Sequence, residues 1–170
     1  MFGLFRKQKA PDGPVEYENT FEVAASADAF FALIDFSNPS NAKTQLGHDI
    51  VRTGENTFSM VMTFLPDLRF DLTVEKCEPN RQYAYLSPIP EGLRKLKFTR
   101  ESFEIAPNGE DACTVVAKTV GKFEEGMSLR EFQVEAGRLA IAIENALLKL
   151  KVHAEGGIED VRGFEALQAA

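Results

Sequence analysis

The chain has 170 residues, 44% hydrophobic and 26% charged, with 19 lysines and arginines against 26 aspartates and glutamates, a net charge of -7. That composition belongs to a globular protein with one hydrophobic core rather than to a disordered chain. The acidic balance argues against nucleic-acid binding, which needs a basic face to neutralise phosphates.

Residues 1–14, MFGLFRKQKAPDGP, read as an N-terminal tail. They hold no apolar run long enough for a signal peptide or membrane span, so the expected location is the cytoplasm. Phe2, Leu4 and Phe5 beside Arg6, Lys7 and Lys9 suit weak contact of residues 2–9 with an anionic membrane, and a frayed terminus explains them equally well.

Residues 15–23, VEYENTFEV, alternate strictly and predict a half-buried strand with Val15, Tyr17, Asn19, Phe21 and Val23 on one face. Ser26 then caps a short helix over residues 27–35, and Ser37-Asn38-Pro39 ends it. A second short helix is expected from Pro39 or Ser40 to Leu46, before Gly47.

A run of strands follows. Residues 48–52 lead through a Gly54-Glu55-Asn56 turn to residues 57–64, where Phe58, Met60, Met62 and Phe64 share a face. Pro66-Asp67 predicts the next turn, and residues 68–76 repeat the alternation with Leu68, Phe70, Leu72 and Val74 inward. Residues 82–86 make a fifth strand before a loop at 87–92. Residues 96–105 and 112–123 form a long hairpin, with a change of parity between Phe98 and Phe103 that predicts a bulge or a strand exposed on both sides. In its second arm Cys113, Val115, Ala117, Thr119 and Gly121 form a face of small residues, expected to leave room beneath a covering helix.

That helix spans Ser128 to Gly156. Ser128 and Glu131 make a capping box, Met127 and Phe132 a hydrophobic staple, Lys149, Lys151 and His153 suit the negative end of the helix dipole, and Gly156-Gly157 ends it. Leu129, Phe132, Ala136, Leu139, Ala140, Ile143, Leu147 and Leu150 gather on one broad face. A thinner outer row, Val134, Ile141, Leu148 and Val152, reads either as scattered surface hydrophobes or as a contact with a partner chain or the chain's own tail. Mid-helix Gly137 suggests close backbone approach or a bend. Residues 158–170 carry a weak amphipathic pattern for a short terminal helix.

The order strand, two short helices, about six further strands and one long helix is α+β: an antiparallel sheet with helices on one side. From Val15 to Glu155 it resembles the START-like superfamily, also called SRPBCC or helix-grip proteins. The resemblance rests on the alternating first strand, the SADAFFALIDF helix, the strand run ending in CTVVAKTVGKF and the C-terminal helix. It implies a curved sheet of six or seven strands wrapped around the long helix, and a domain at 15–155 followed by a tail at 156–170. The implied function is binding or transport of a small hydrophobic molecule of lipid, polyketide, sterol or quinone type between sheet and helix. These families often place tryptophan near the second helix, and this chain has none.

The residues expected to line such a cavity are Phe30, Phe58, Met60, Met62, Phe70, Leu72, Tyr85, Val115, Ala117, Thr119, Phe132, Leu139 and Ile143. Two other roles stay open: a cyclase or dehydratase-like enzyme working by acid–base chemistry, and an interaction module or homodimer using the outer row Val134, Ile141, Leu148 and Val152. For chemistry the candidates are Tyr83, Tyr85 and Glu101, with Arg100 beside them, although exposed cross-strand partners explain the same residues. His48 reads as a residue at a sheet end and His153 as a surface histidine on the last helical turn. Cys77 and Cys113 have no metal-type spacing and read as buried free thiols in a reducing compartment. No metal and no cofactor is expected, because the sequence carries no ligand cluster and no phosphate-binding loop.

Overall fold

The alternating segments become seven strands in a computed structural model that describes residues 9–168, with the side chain of Gln168 left aside. They are β1 (Val15–Val23), β2 (Asp49–Arg52), β3 (Thr57–Met62), β4 (Leu65–Glu78), β5 (Gln82–Pro88), β6 (Leu96–Pro107) and β7 (Cys113–Phe123). Of the segment read for membrane contact, all but Lys9 lies outside the described residues. The strands form one curved antiparallel sheet in the order β1-β7-β6-β5-β4-β3-β2. Each lies beside its neighbour in sequence, except that β1 joins β7, with Val15 opposite Gly121 and Val23 opposite Cys113.

Two short helices cross from β1 to β2. α1 (Ala27–Ile34) starts where Ser26 Oγ accepts the Ala29 amide, and buries Ala27, Phe30, Phe31, Leu33 and Ile34. α2 (Ala42–Gln45) is shorter than expected because Asn41, rather than Pro39 or Ser40, is its cap, accepting the amides of Lys43 and Thr44. The fully buried Asn41 also donates to the carbonyls of Leu33 and Asp35, so one side chain fastens α2 to the end of α1.

The strand faces follow the alternation with three departures. The turn between β3 and β4 falls at Thr63-Phe64, and Pro66 lies inside β4, because the ladder shifts register at Val61/Met62 and pairs Met62 with Leu65. Phe64 therefore sits on the hairpin tip, 67% exposed, instead of on the inner face. The bulge expected between Phe98 and Phe103 lies earlier on that arm: the pairing runs unbroken from Phe98 to Phe103, and the register shifts between Leu96 and Phe98. Tyr83 and Tyr85 are buried rather than exposed cross-strand partners. Of the cysteines, Cys113 is buried and Cys77 is exposed, so the expectation of two buried thiols holds for one of them.

α3 (Leu129–Gly156) begins at the expected capping box, in which Ser128 Oγ accepts the Glu131 amide and the Glu131 carboxylate accepts from the Ser128 amide. Gly157, at φ +88°, caps its other end, where a residue without a β-carbon adopts the left-handed backbone at no steric cost. The chain enters α3 tied to its own beginning, since the Ala10 amide donates to the carbonyl of Met127. α4 (Ile158–Gln168) follows at once and turns back against α3.

The interior is divided. Under α1 and the C-terminal half of α3, the larger cluster joins Phe30, Phe36, Phe58, Phe70, Leu72, Tyr83, Phe103 and Val115. At the other end, Leu96, Phe123, Met127 and Leu139 close a smaller one with Phe132, Ala136 and Ile143 against it. Of the 28 residues of α3, only Leu139 and His153 are buried; Phe132, Ile143, Leu147 and Leu150 remain half-buried. The helix touches the sheet closely at Leu139 and stands off it beyond.

Candidate functional site

Beyond Leu139 the gap between α3 and the sheet becomes a cavity of about 120 Å³. Apolar walls come from Leu33, Ile34 and Phe36 around the end of α1, Phe103 on β6, Ala146, Leu147 and Leu150 on α3, and Val161 on α4. Polar groups enter from Asn41 and Lys43, His48, Tyr85, Glu101, Lys149 and His153. The elements that make it lie far apart in sequence, and the two short helices and α4 contribute as much wall as the sheet.

The sheet register sets the central pair. Tyr85 on β5 lies directly opposite Glu101 on β6, so both side chains leave the same face. The Tyr85 hydroxyl donates to Glu101 Oε2 at 2.5 Å, the length of a charge-assisted hydrogen bond to a carboxylate. Burial, and then the charge of Glu101, hold the Tyr85 phenol well above its ordinary pKa, so it stays protonated at neutral pH. Phe36 packs edge-on to Tyr85 with ring centroids 4.8 Å apart.

Tyr83 plays a different part. It is 1% exposed, its hydroxyl accepts the Phe36 amide at 3.1 Å, and its ring meets Phe31 and Phe36 edge-on, so it holds the α1 end against the sheet and does not line the cavity. Arg100 points to the outer face of the sheet, where it is ion-paired with Glu75 on β4.

Both histidines line the cavity, and His153 is buried rather than on the surface. His153 is 5% exposed, and its Nε2 lies 2.5 Å from Gln45 Oε1, so the last turn of α3 is tied to α2 across the cavity. Burial lowers its pKa, which favours the neutral ring. His48 precedes β2 at a sheet end but also lines the cavity, its ring edge-on to Phe64 and its Nδ1 accepting from the Thr63 amide at 3.4 Å. Burial, with Lys43 adding to it, lowers its pKa too. A sequence signal for His153 was present but ambiguous: its position on the helix continues the inner face of Leu139, Leu147 and Leu150.

Among the residues expected to bind a ligand, Tyr85 lies in the cavity wall. Phe30, Phe58, Met60, Phe70, Leu72, Val115 and Ala117 belong to the packed larger cluster, and Met62 lies against it. Phe132, Leu139 and Ile143 belong to the smaller cluster at the far end of α3. Thr119 is buried on β7. The small-residue face of β7 does not leave open space at Gly121, because Leu139 fills it.

α4 packs over the end of the cavity rather than along the outside of α3. Val161 is 1% exposed, and Lys149 on α3 bridges to Glu165 on α4 at 2.6 Å. The outer row therefore stays open, with Val134, Ile141 and Leu148 exposed and Val152 half-buried, and the tail does not cover it. No helix among the described residues is long and apolar enough to cross a membrane.

No family model and no curated protein matches the sequence. Solved structures do match. The di-domain ARO/CYC StfQ from the steffimycin biosynthetic pathway superposes with a TM-score of 0.59 at 18% identity, over 84% of this chain and 51% of that one. The chain thus spans about half the length of that protein. Ara h 8.0201 superposes with a TM-score of 0.62 at 7% identity, over 89% of this chain and 97% of that one. The chain has the helix-grip fold. An Arthrobacter aurescens protein solved by NMR shares this fold, with a TM-score of 0.57 at 13% identity over 81% of this chain and 84% of that one. At such identities the likeness is one of architecture.

Proposed function

We propose that the protein binds a small hydrophobic molecule between the C-terminal half of α3 and the sheet. The observation that carries this reading is the cavity itself, walled by Leu33, Ile34, Phe36, Phe103, Leu147 and Leu150 with the Tyr85–Glu101 pair as its polar feature. Its volume of about 120 Å³ sets the scale of the guest. An apolar cavity of roughly 150 Å³ accepts benzene, whereas pockets for drug-sized ligands run from about 300 to 1,000 Å³. One ring or a short acyl chain fits as the walls stand; a whole sterol, polyketide or quinone requires α4 or α2 to move outward. Native mass spectrometry of freshly purified protein is expected to show a co-purifying small molecule, lost in Leu150→Trp, which fills the cavity. A bare mass, with no fluorescent fatty acid, quinone or aromatic probe taken up, contradicts the reading.

Acid–base catalysis of the cyclase or dehydratase kind is the second reading, favoured by the juxtaposition of Tyr85, Glu101 and His153 around one cavity. In it Glu101 accepts a proton from a carbon next to a carbonyl, and the Tyr85 hydroxyl, kept protonated, turns its one hydrogen from the now-neutral Glu101 to the developing oxyanion. Turnover of a candidate substrate should then disappear in Glu101→Gln and Tyr85→Phe and persist in Tyr83→Phe. Equal turnover in all three rejects this use of the pair.

A further inference from the structure

Resting on that cavity reading, the polar furnishing of the site says which guests it selects. Among the described residues Glu101 is the one carboxylate in the cavity wall, and its side chain is hydrogen-bonded to an uncharged phenol. Among the described residues it forms no ion pair, in contrast to Glu75 on the neighbouring surface, which is matched with Arg100. Oε2 is taken by Tyr85, while no group of the described protein donates to the remaining oxygen. A carboxylate oxygen is an acceptor only, so what completes it is a donor.

The charge around the cavity narrows the choice. A guest carboxylate placed against Glu101 meets a like charge in a half-buried space, where such repulsion is stronger than in open water. A guest ammonium meets Lys43, which lines the same space beside the Lys149–Glu165 ion pair. A neutral hydroxyl is repelled by neither, and the Tyr85 hydroxyl at 2.5 Å shows that Glu101 takes such a group. We infer that the cavity selects small one-ring or short-chain molecules whose polar end is a neutral hydroxyl, donated to the free oxygen of Glu101.

The test uses four compounds of nearly one size, p-cresol, p-xylene, benzoate and benzylammonium, titrated into the 170-residue chain with methyl NMR as the readout. The hydroxyl of p-cresol costs more to remove from water than the methyl of p-xylene, so an apolar cavity alone favours p-xylene. A charge-assisted hydrogen bond reverses that order, and p-cresol is expected to bind about tenfold or more tightly than each of the other three. In Glu101→Leu combined with Tyr85→Phe, which leaves no hydroxyl orphaned, the order should return to p-xylene first. The wild-type series decides the matter even where the double variant fails to fold. Tighter binding of p-xylene, benzoate or benzylammonium by the wild type overturns the selection for a hydroxyl while leaving a cavity that binds. Absence of binding by all four overturns both this inference and the reading on which it rests.

Discussion

Leu139 occupies the space that a side chain at position 121 would need. A β-carbon on Gly121 would stand 2.7 Å from Leu139 Cδ2 and 3.3 Å from Leu96 Cδ1, closer than carbon atoms pack. The glycine is thus the point where α3 seats on β7, and the place from which the helix rises away from the sheet. Gly121→Ala is expected to destabilise the protein by about 1–3 kcal/mol through overpacking. Leu139→Ala alone should cost about 2–5 kcal/mol. Because each change relieves the other's defect, urea denaturation of the double variant should give less than the sum of the two.

Gly137 is the opposite case. Nothing lies within 4 Å of where its β-carbon would stand, and its backbone is not left-handed, so neither a close approach nor a strained angle accounts for it. Gly137→Ala should raise stability by about 1 kcal/mol, the difference in helix propensity, measured by the same denaturation. A loss of stability, or a change in the mass seen by light scattering, would mean that another chain lies against this stretch of α3.

The two histidines make stability depend on pH in a defined direction. Burial lowers the folded-state pKa of His153 and of His48 below the ordinary 6.5, so in that window the unfolded chain binds more protons than the folded one. Their contribution is fully present above about pH 6.5 and is lost as pH falls toward the depressed values. Thermal midpoints taken from pH 7.5 to pH 5 should fall, and the fall should be shallower in His153→Gln. Parallel curves for the two proteins would show that His153 titrates alike in both states.

Much of this architecture is legible in the chain. Alternation marks the strands from Val15 to Phe123, and the Ser128–Glu131 capping box marks the start of α3, because both signals are local. The site is less legible because long-range contacts create it. His153 and Gln45 are 108 residues apart, and neither position on its own helix announces the other. The burial of Tyr83 and Tyr85 depends on which face of a short strand turns inward, and a register shift between Val74 and Lys76 on the neighbouring strand obscures that choice. The aromatic and methionine faces of β3 and β4 suggest a pocket, but they fill their own volume, and the cavity opens where α1, α2 and α4 supply the walls.

α4 closes the end of that cavity with one buried side chain. Val161→Ala should therefore cost about 1–3 kcal/mol, including the enlarged void. A chain ending at Gly157 should keep the sheet and α3, bind a hydrophobic dye more strongly than the full chain, and exchange a bound guest faster. Unchanged dye binding would show that the end of the cavity stays closed without α4.

The most direct test is where on the protein a small aromatic guest lands. With methyl groups labelled, p-cresol is expected to shift Leu33, Ile34, Leu147 and Leu150, which wall the cavity, and to leave Leu96 and Leu139 at the seated end of α3 unmoved. Shifts confined to Leu96 and Leu139, or no saturable shift at all, would contradict the assignment of the guest site to the C-terminal half of α3.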